Sequence, residues 1–89
     1  MTIRKEKFNT NILKIGTSLR TLRKRKGLTI AQFAEKVDLS EKIISNYENG
    51  KNIISIESII KIYQSKVYAP LTLTELFDIL IIQIYEEND

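Results

Sequence analysis

The chain has 89 residues and a net charge of +3, with no cysteine and no histidine. That length suits one domain with a marginal core, which association with a second copy would support; the missing residue types exclude disulfides, cysteine-based zinc sites, thiol nucleophiles and histidine acid–base chemistry. The longest apolar run, Ile79 to Ile82, is far below the ~18 residues of a spanning helix, and the polar start lacks a signal-peptide core, so a cytoplasmic protein with no membrane, metal, cofactor or small-molecule ligand is expected.

The cations crowd the front of the chain. Residues 1–27 hold nine cations and one acid, residues 28–66 five of each sign, and residues 67–89 five acids and no cation. A basic front half suits a polyanion and an acidic end is repelled by one, so the C-terminal end is expected to face away from nucleic acid. Residues 1–10 read as a basic arm, either loose or reaching into a minor groove. A first helix is predicted over about 11–25, burying Ile12, Ile15, Leu19 and Leu22 at helical spacing. Arg23 to Lys26 close it, where cations also meet the helix dipole favourably.

Two short amphipathic helices follow, at about 30–37 and 41–48. Phe33, Ala34 and Val37 share one side of the first, and Ile44 and Tyr47 share one side of the second. Between them stand Asp38, Leu39 and Ser40, the last a favoured N-cap whose hydroxyl satisfies an orphan backbone N–H. Ala34 is the small residue where the two backbones come closest, and Leu39 points the turn into the core. Helices that meet at ~90–120° across such a turn leave the outer face of the second free to enter a DNA major groove.

On that face lie Glu41, Lys42, Ser45 and Asn46. Lys42 suits guanine O6 and N7, Glu41 suits cytosine N4, and Asn46 suits adenine N6 and N7. Glu41 also fits a structural role, because an acid in the first turn is stabilised by the helix dipole. Ser45 meets a phosphate or bonds back to its own helix, while Ile43 touches a thymine methyl or pads the edge of the core. Phosphate contacts are expected to flank this helix: Thr29 and Ile30 begin the preceding helix with free backbone donors, and Asn49, Gly50, Lys51 and Asn52 form a donor-rich loop after it.

A fourth helix, at about 56–67, is predicted to bury Ile56, Ile59, Ile60, Tyr63 and Val67, and Pro70 separates it from a fifth at about 73–86. Thr72 and Glu75 have capping-box spacing. Leu73, Leu76, Phe77, Leu80 and Ile84 form the packing stripe, leaving Ile79, Ile82 and Tyr85 outside it. A symmetric dimer would cover these three, as would the N-terminal segment through Phe8.

One ordered set spans most of these elements: Ile15-Gly16, Leu19, Leu22-Arg23, Lys26-Gly27-Leu28-Thr29, Phe33-Ala34, Val37, Leu39-Ser40, Ile44-Ser45, Tyr47-Glu48-Asn49-Gly50-Lys51, then Leu71-Thr72-Leu73 and Glu75-Leu76-Phe77. It resembles the phage repressor and Cro type of helix-turn-helix protein, the Xre-like family, from Ile15 to Phe77. Three positions depart from the family pattern: Ile30 stands for Gln, Asp38 for Gly and Ile54 for Pro. Ile30 lacks the side-chain amide that helps grip a phosphate in relatives, and Asp38 is expected in a left-handed conformation. The resemblance further implies an ion pair between Arg23 and Glu48, structural first, with Arg23 facing phosphate second.

The resulting expectation is an all-α, five-helix repressor-like bundle: one domain over 11–89 after the basic arm, with a C-terminal dimerisation helix. It implies a homodimeric, sequence-specific regulator of transcription on double-stranded DNA, with recognition helices ~34–36 Å apart on a palindromic operator. No ligand domain follows the helix-turn-helix, so control by protein concentration and cooperative binding is expected. Length and the helical extension also resemble restriction-modification controller proteins, and a phage-type repressor fits equally. The alternative is an antitoxin-like module that binds a partner protein through its last helix as well as DNA. An enzyme has little support without histidine, cysteine, a glycine-rich phosphate loop or a carboxylate pair, and single-stranded RNA binding lacks an aromatic stacking platform.

Overall fold

The structure, a computed structural model, describes the backbone of residues 2–86 and the side chains of residues 10–86. Its elements are α1 (Thr2–Arg25), α2 (Ile30–Val37), α3 (Glu41–Glu48), α4 (Ile56–Gln64), α5 (Leu73–Phe77), a π-helical turn (Asp78–Ile82) and α6 (Gln83–Glu86). The fold is all-helical, with no strand among the described residues. No helix among them is long and apolar enough to cross a membrane. α1 packs on α3 and on the C-terminal segment, α2 on α3 and α4, and α4 on α5.

Local chemistry sets most element starts. Thr29, Ser40, Ser55 and Thr72 are all extended N-caps whose hydroxyls accept a backbone N–H three residues on. Two of these starts, at Thr29 with Gln32 and at Thr72 with Glu75, are complete capping boxes. The core drawn together by them includes Ile15, Leu19, Phe33, Val37, Ile44, Ile59, Ile62, Leu76 and Leu80, all at 2% exposure or less. Burying each such side chain contributes roughly 1.5–3 kcal/mol before chain entropy is counted.

Several sequence-based boundaries and faces are corrected. α1 starts at Thr2 instead of near residue 11, so the backbone of the basic arm continues the helix. Phe8 and its expected contact with the last helix lie outside the described side chains. On α4 the buried face is Ser58, Ile59 and Ile62, whereas Ile56 is 68% exposed, Tyr63 is 43% exposed and Ile60 is half-buried. The cause is polar: Ser58 is drawn inward by a 2.8 Å hydrogen bond with the Tyr47 hydroxyl, which turns the helix away from its purely apolar stripe. α4 also ends at Gln64 instead of reaching Val67. Ser65 Oγ accepts the Val67 N–H at 3.3 Å and Lys66 turns left-handed at φ 63°, so the side chain competes with the helix for its own backbone.

The fifth helix runs over 73–86 as expected, with a π-helical turn in its middle. The backbone N–H of Gln83 reaches the Asp78 carbonyl, an i→i+5 bond, and the Gln83 amide donates to Asp78 Oδ2 at 2.7 Å across the same turn. Leu76, Leu80 and Ile84 are buried, Phe77 is half-buried, and Leu73 is 38% exposed. Ile79, Ile82 and Tyr85 are half-buried.

Candidate nucleic-acid interface

The turn between α2 and α3 is held from both sides. Asp38 adopts φ 59° and ψ 46°, and its N–H points back to the Ala34 and Glu35 carbonyls. Leu39 N donates to Ala34 O at 3.0 Å, and buried Ala34 leaves room for that approach. From α4, Lys61 Nζ donates to Asp38 O at 3.1 Å, tying the turn to the helix behind it. Ser40 Oγ then accepts from Ile43 N at 3.1 Å and starts α3. The outcome is one helix with two faces: Ile44, Tyr47 and Glu48 point inward, Glu41, Lys42 and Ile43 are exposed, and Ser45 and Asn46 are half-exposed.

α1 clamps the far end of α3. Gly16 makes this possible, because a Cβ there would run into Tyr47 O and stand 2.8 Å from Glu48 O, both fixed backbone atoms. One turn along, Glu48, whose side chain is 1% exposed, receives Arg23 in a bidentate pair: Nε to Oε2 at 2.7 Å and Nη2 to Oε1 at 2.8 Å. Arg23 Nη1 donates to Leu28 O at 2.8 Å, so all three nitrogens bond within the chain. The hydrogen-bonded Glu48 carboxylate raises the Arg23 pKa above its ordinary value, against the opposing effect of burial. The Arg23 side chain is only 9% exposed, so little of it is presented to solvent.

Around α3 lie the other expected contacts. Thr29 is exposed, with its N–H and hydroxyl occupied by the capping box. Ile30 packs its side chain on the core, so only its backbone faces outward at the start of α2. After α3, Gly50 N donates to Tyr47 O at 3.1 Å and Lys51 N to Asn46 O at 2.9 Å, closing the helix. Gly50 sits at φ 70° against Leu13, a position a side chain would not fit. Asn49, Lys51 and Asn52 are left exposed beside α3.

A family model described as helix-turn-helix matches residues 19–63, half of the chain, including α2, α3 and all but the last residue of α4. The chain belongs to this helix-turn-helix family, of the phage repressor and Cro type. It is therefore a DNA-binding regulator by domain type, with α2 and α3 as the two helices of its helix-turn-helix. Comparison with curated proteins and with solved structures finds no match.

In this helix-turn-helix domain four contributing residues are not evident from the sequence. Arg20 joins the α1 clamp, with Nε 3.3 Å from Glu48 Oε1 and Nη2 donating to Asn49 Oδ1 at 3.0 Å. Its signal was the three-residue spacing from Arg23, which puts both on one helix face. Ser55 and Ser58 bond each other at 3.0 Å and reach the Tyr47 hydroxyl, joining α3 to α4. Tyr68 is buried with its ring 6.3 Å from Phe33 and Lys26 Nζ 5.9 Å above it, yet its hydroxyl has no hydrogen-bond partner among the described residues. Burial, reinforced by Glu48, pushes its pKa well above the usual phenol value.

Proposed function

We propose that this helix-turn-helix protein is a homodimeric regulator of transcription that reads a palindromic operator with α3 in the major groove. The observation that carries the reading is the division of α3, whose inner residues are locked to α1 and α4 while Glu41, Lys42, Ile43, Ser45 and Asn46 remain outward. A recognition helix needs this combination of rigid backing and a free polar edge. Lys42 and Asn46 are the main base readers, each bidentate contact worth ~1–3 kcal/mol of discrimination. Glu41 accepts from a cytosine amino group and Ile43 meets a thymine methyl. Backbone N–H groups at Ile30, together with Thr29, Asn49, Lys51 and Asn52, hold phosphates and set the register. Dimerisation through the remaining exposed area of Ile79, Ile82 and Tyr85 sets the two recognition helices ~34–36 Å apart. The acidic end then faces away from DNA, and the protein acts in the cytoplasm by occupying operators near promoters.

Selection of bound duplexes from a random pool tests the reading directly. The expected consensus is two-fold symmetric. Lys42→Ala and Asn46→Ala each relax a separate base position, while Lys51→Ala weakens all sequences alike. An unchanged consensus in both helix variants removes α3 as the reader.

A further inference from the structure

We propose that Arg20 is a positioning residue for the DNA-facing side of α3, setting the direction in which Asn49 and Ser45 give hydrogen bonds; this rests on α3 being the helix that meets DNA. Four side chains form a chain from the interior to the surface. Arg20 Nε lies 3.3 Å from Oε1 of buried Glu48, while Arg20 Nη2 donates to Glu48 O at 3.4 Å and to Asn49 Oδ1 at 3.0 Å. Asn49 Nδ2 in turn donates to Ser45 Oγ at 3.2 Å.

The order of these bonds has a chemical consequence. A guanidinium only donates, so the end of the Asn49 amide that faces Arg20 has to be its carbonyl. The amide nitrogen is thereby turned to Ser45, and it keeps a second N–H for the surface. Ser45 Oγ, having accepted from Asn49, retains its own O–H to give. Asn49 is exposed and Ser45 half-exposed, so the chain ends outward in two donors. Donors suit phosphate oxygens and the N7, O6 and O4 acceptors of base edges, and do not suit the amino groups of cytosine or adenine. Without Arg20 the amide is free to rotate by half a turn and the Ser45 hydroxyl to donate back into it, which erases the polarity of this edge. Arg20 therefore acts through its neighbours, even though its side chain is 40% exposed.

A double-mutant cycle on DNA affinity tests this, using the full chain and the duplex that wild type selects from a random pool. Arg20→Met keeps the stem but loses the donors, and is expected to weaken binding about tenfold. In a Ser45→Ala background the same change is expected to cost less than about threefold, because its route to DNA is already cut. Asn49→Ala breaks the same chain without touching the Arg23–Glu48 pair and is expected to be equally non-additive with Ser45→Ala, a cycle that covers the case in which Arg20→Met melts early. Equal losses in the two backgrounds, or a salt slope made shallower by about one unit per protomer in Arg20→Met, identify direct phosphate contact by Arg20 and overturn the proposal. If wild type enriches no duplex at all, the DNA reading of α3 fails first and takes the proposal with it.

Discussion

Glu48 holds two guanidinium groups while almost wholly withdrawn from water, so its loss leaves Arg23 charged and unpaired inside the domain. Glu48→Ala is expected to cost about 3–5 kcal/mol in urea unfolding, whereas replacing Arg23 and Glu48 together by apolar residues of similar volume costs far less. A loss that size approaches the whole stability of a small domain. Tyr68 carries the opposite prediction. Its hydroxyl is buried without a partner among the described residues, so Tyr68→Phe is expected to stabilise by about 1–3 kcal/mol, the desolvation penalty of one unpaired polar group. The pH dependence has a definite sign: burial raises the folded pKa of the phenol above its ordinary value of 10.0, so the folded chain holds this proton more firmly than the unfolded one. The resulting contribution is complete below about pH 10 and declines as pH climbs above it. Thermal melts of the two proteins should therefore separate further above that pH; a gap that narrows there contradicts the assignment.

At the scale of the helices, the contact between α1 and α3 depends on the missing side chain of Gly16. Adding a methyl group at that point pushes α3 outward against two fixed carbonyls, and Gly16→Ala is expected to cost about 1–3 kcal/mol and to weaken DNA binding more than the stability loss explains. Equal operator affinity at a temperature where the variant is fully folded would show that the α1 contact does not aim α3. The helices of this region were legible from the residues because their signals are local, Ser40 as a cap and apolar residues at helical spacing, while the left-handed Asp38 came with the family resemblance and the Thr29 cap was not read. α4 was misread for the converse reason. Its rotation depends on Ser58 meeting Tyr47, eleven positions away, and no periodicity within α4 records that partner. Likewise the π-helical turn rests on Asp78 and Gln83 paired five residues apart, a spacing that 3.6-residue patterning does not test. For the site, the outward polar residues of α3 could be read directly, while the donor chain through Arg20 required knowing where α1 lies.

For the whole molecule, binding strength and assembly are linked through counterion release. Each phosphate neutralised steepens the fall of log affinity with log salt by roughly 0.9, and six to ten contacts lose ~10³–10⁵ in affinity between 50 and 200 mM salt. A dimer on a palindrome engages two such sets at once, so its slope on a full operator should be about twice that on a half-site. Two surfaces are candidates for the proposed dimer. Ile82 is half-buried on the π-helical turn, whereas Ile56 is 68% exposed and lines a groove with Leu73 and Phe77 between α4 and α5. Ile82→Glu is expected to give a monomer by sedimentation and to halve the full-site slope, while Ile56→Glu leaves both unchanged. The reverse pattern transfers the interface to the groove between α4 and α5. Lys51→Ala supplies the control, because it should lower the slope by about one unit per protomer without altering the sedimenting mass. A change in slope therefore reports lost phosphates when mass is constant and lost pairing when mass falls, and each surface can be judged by which of the two its variant produces.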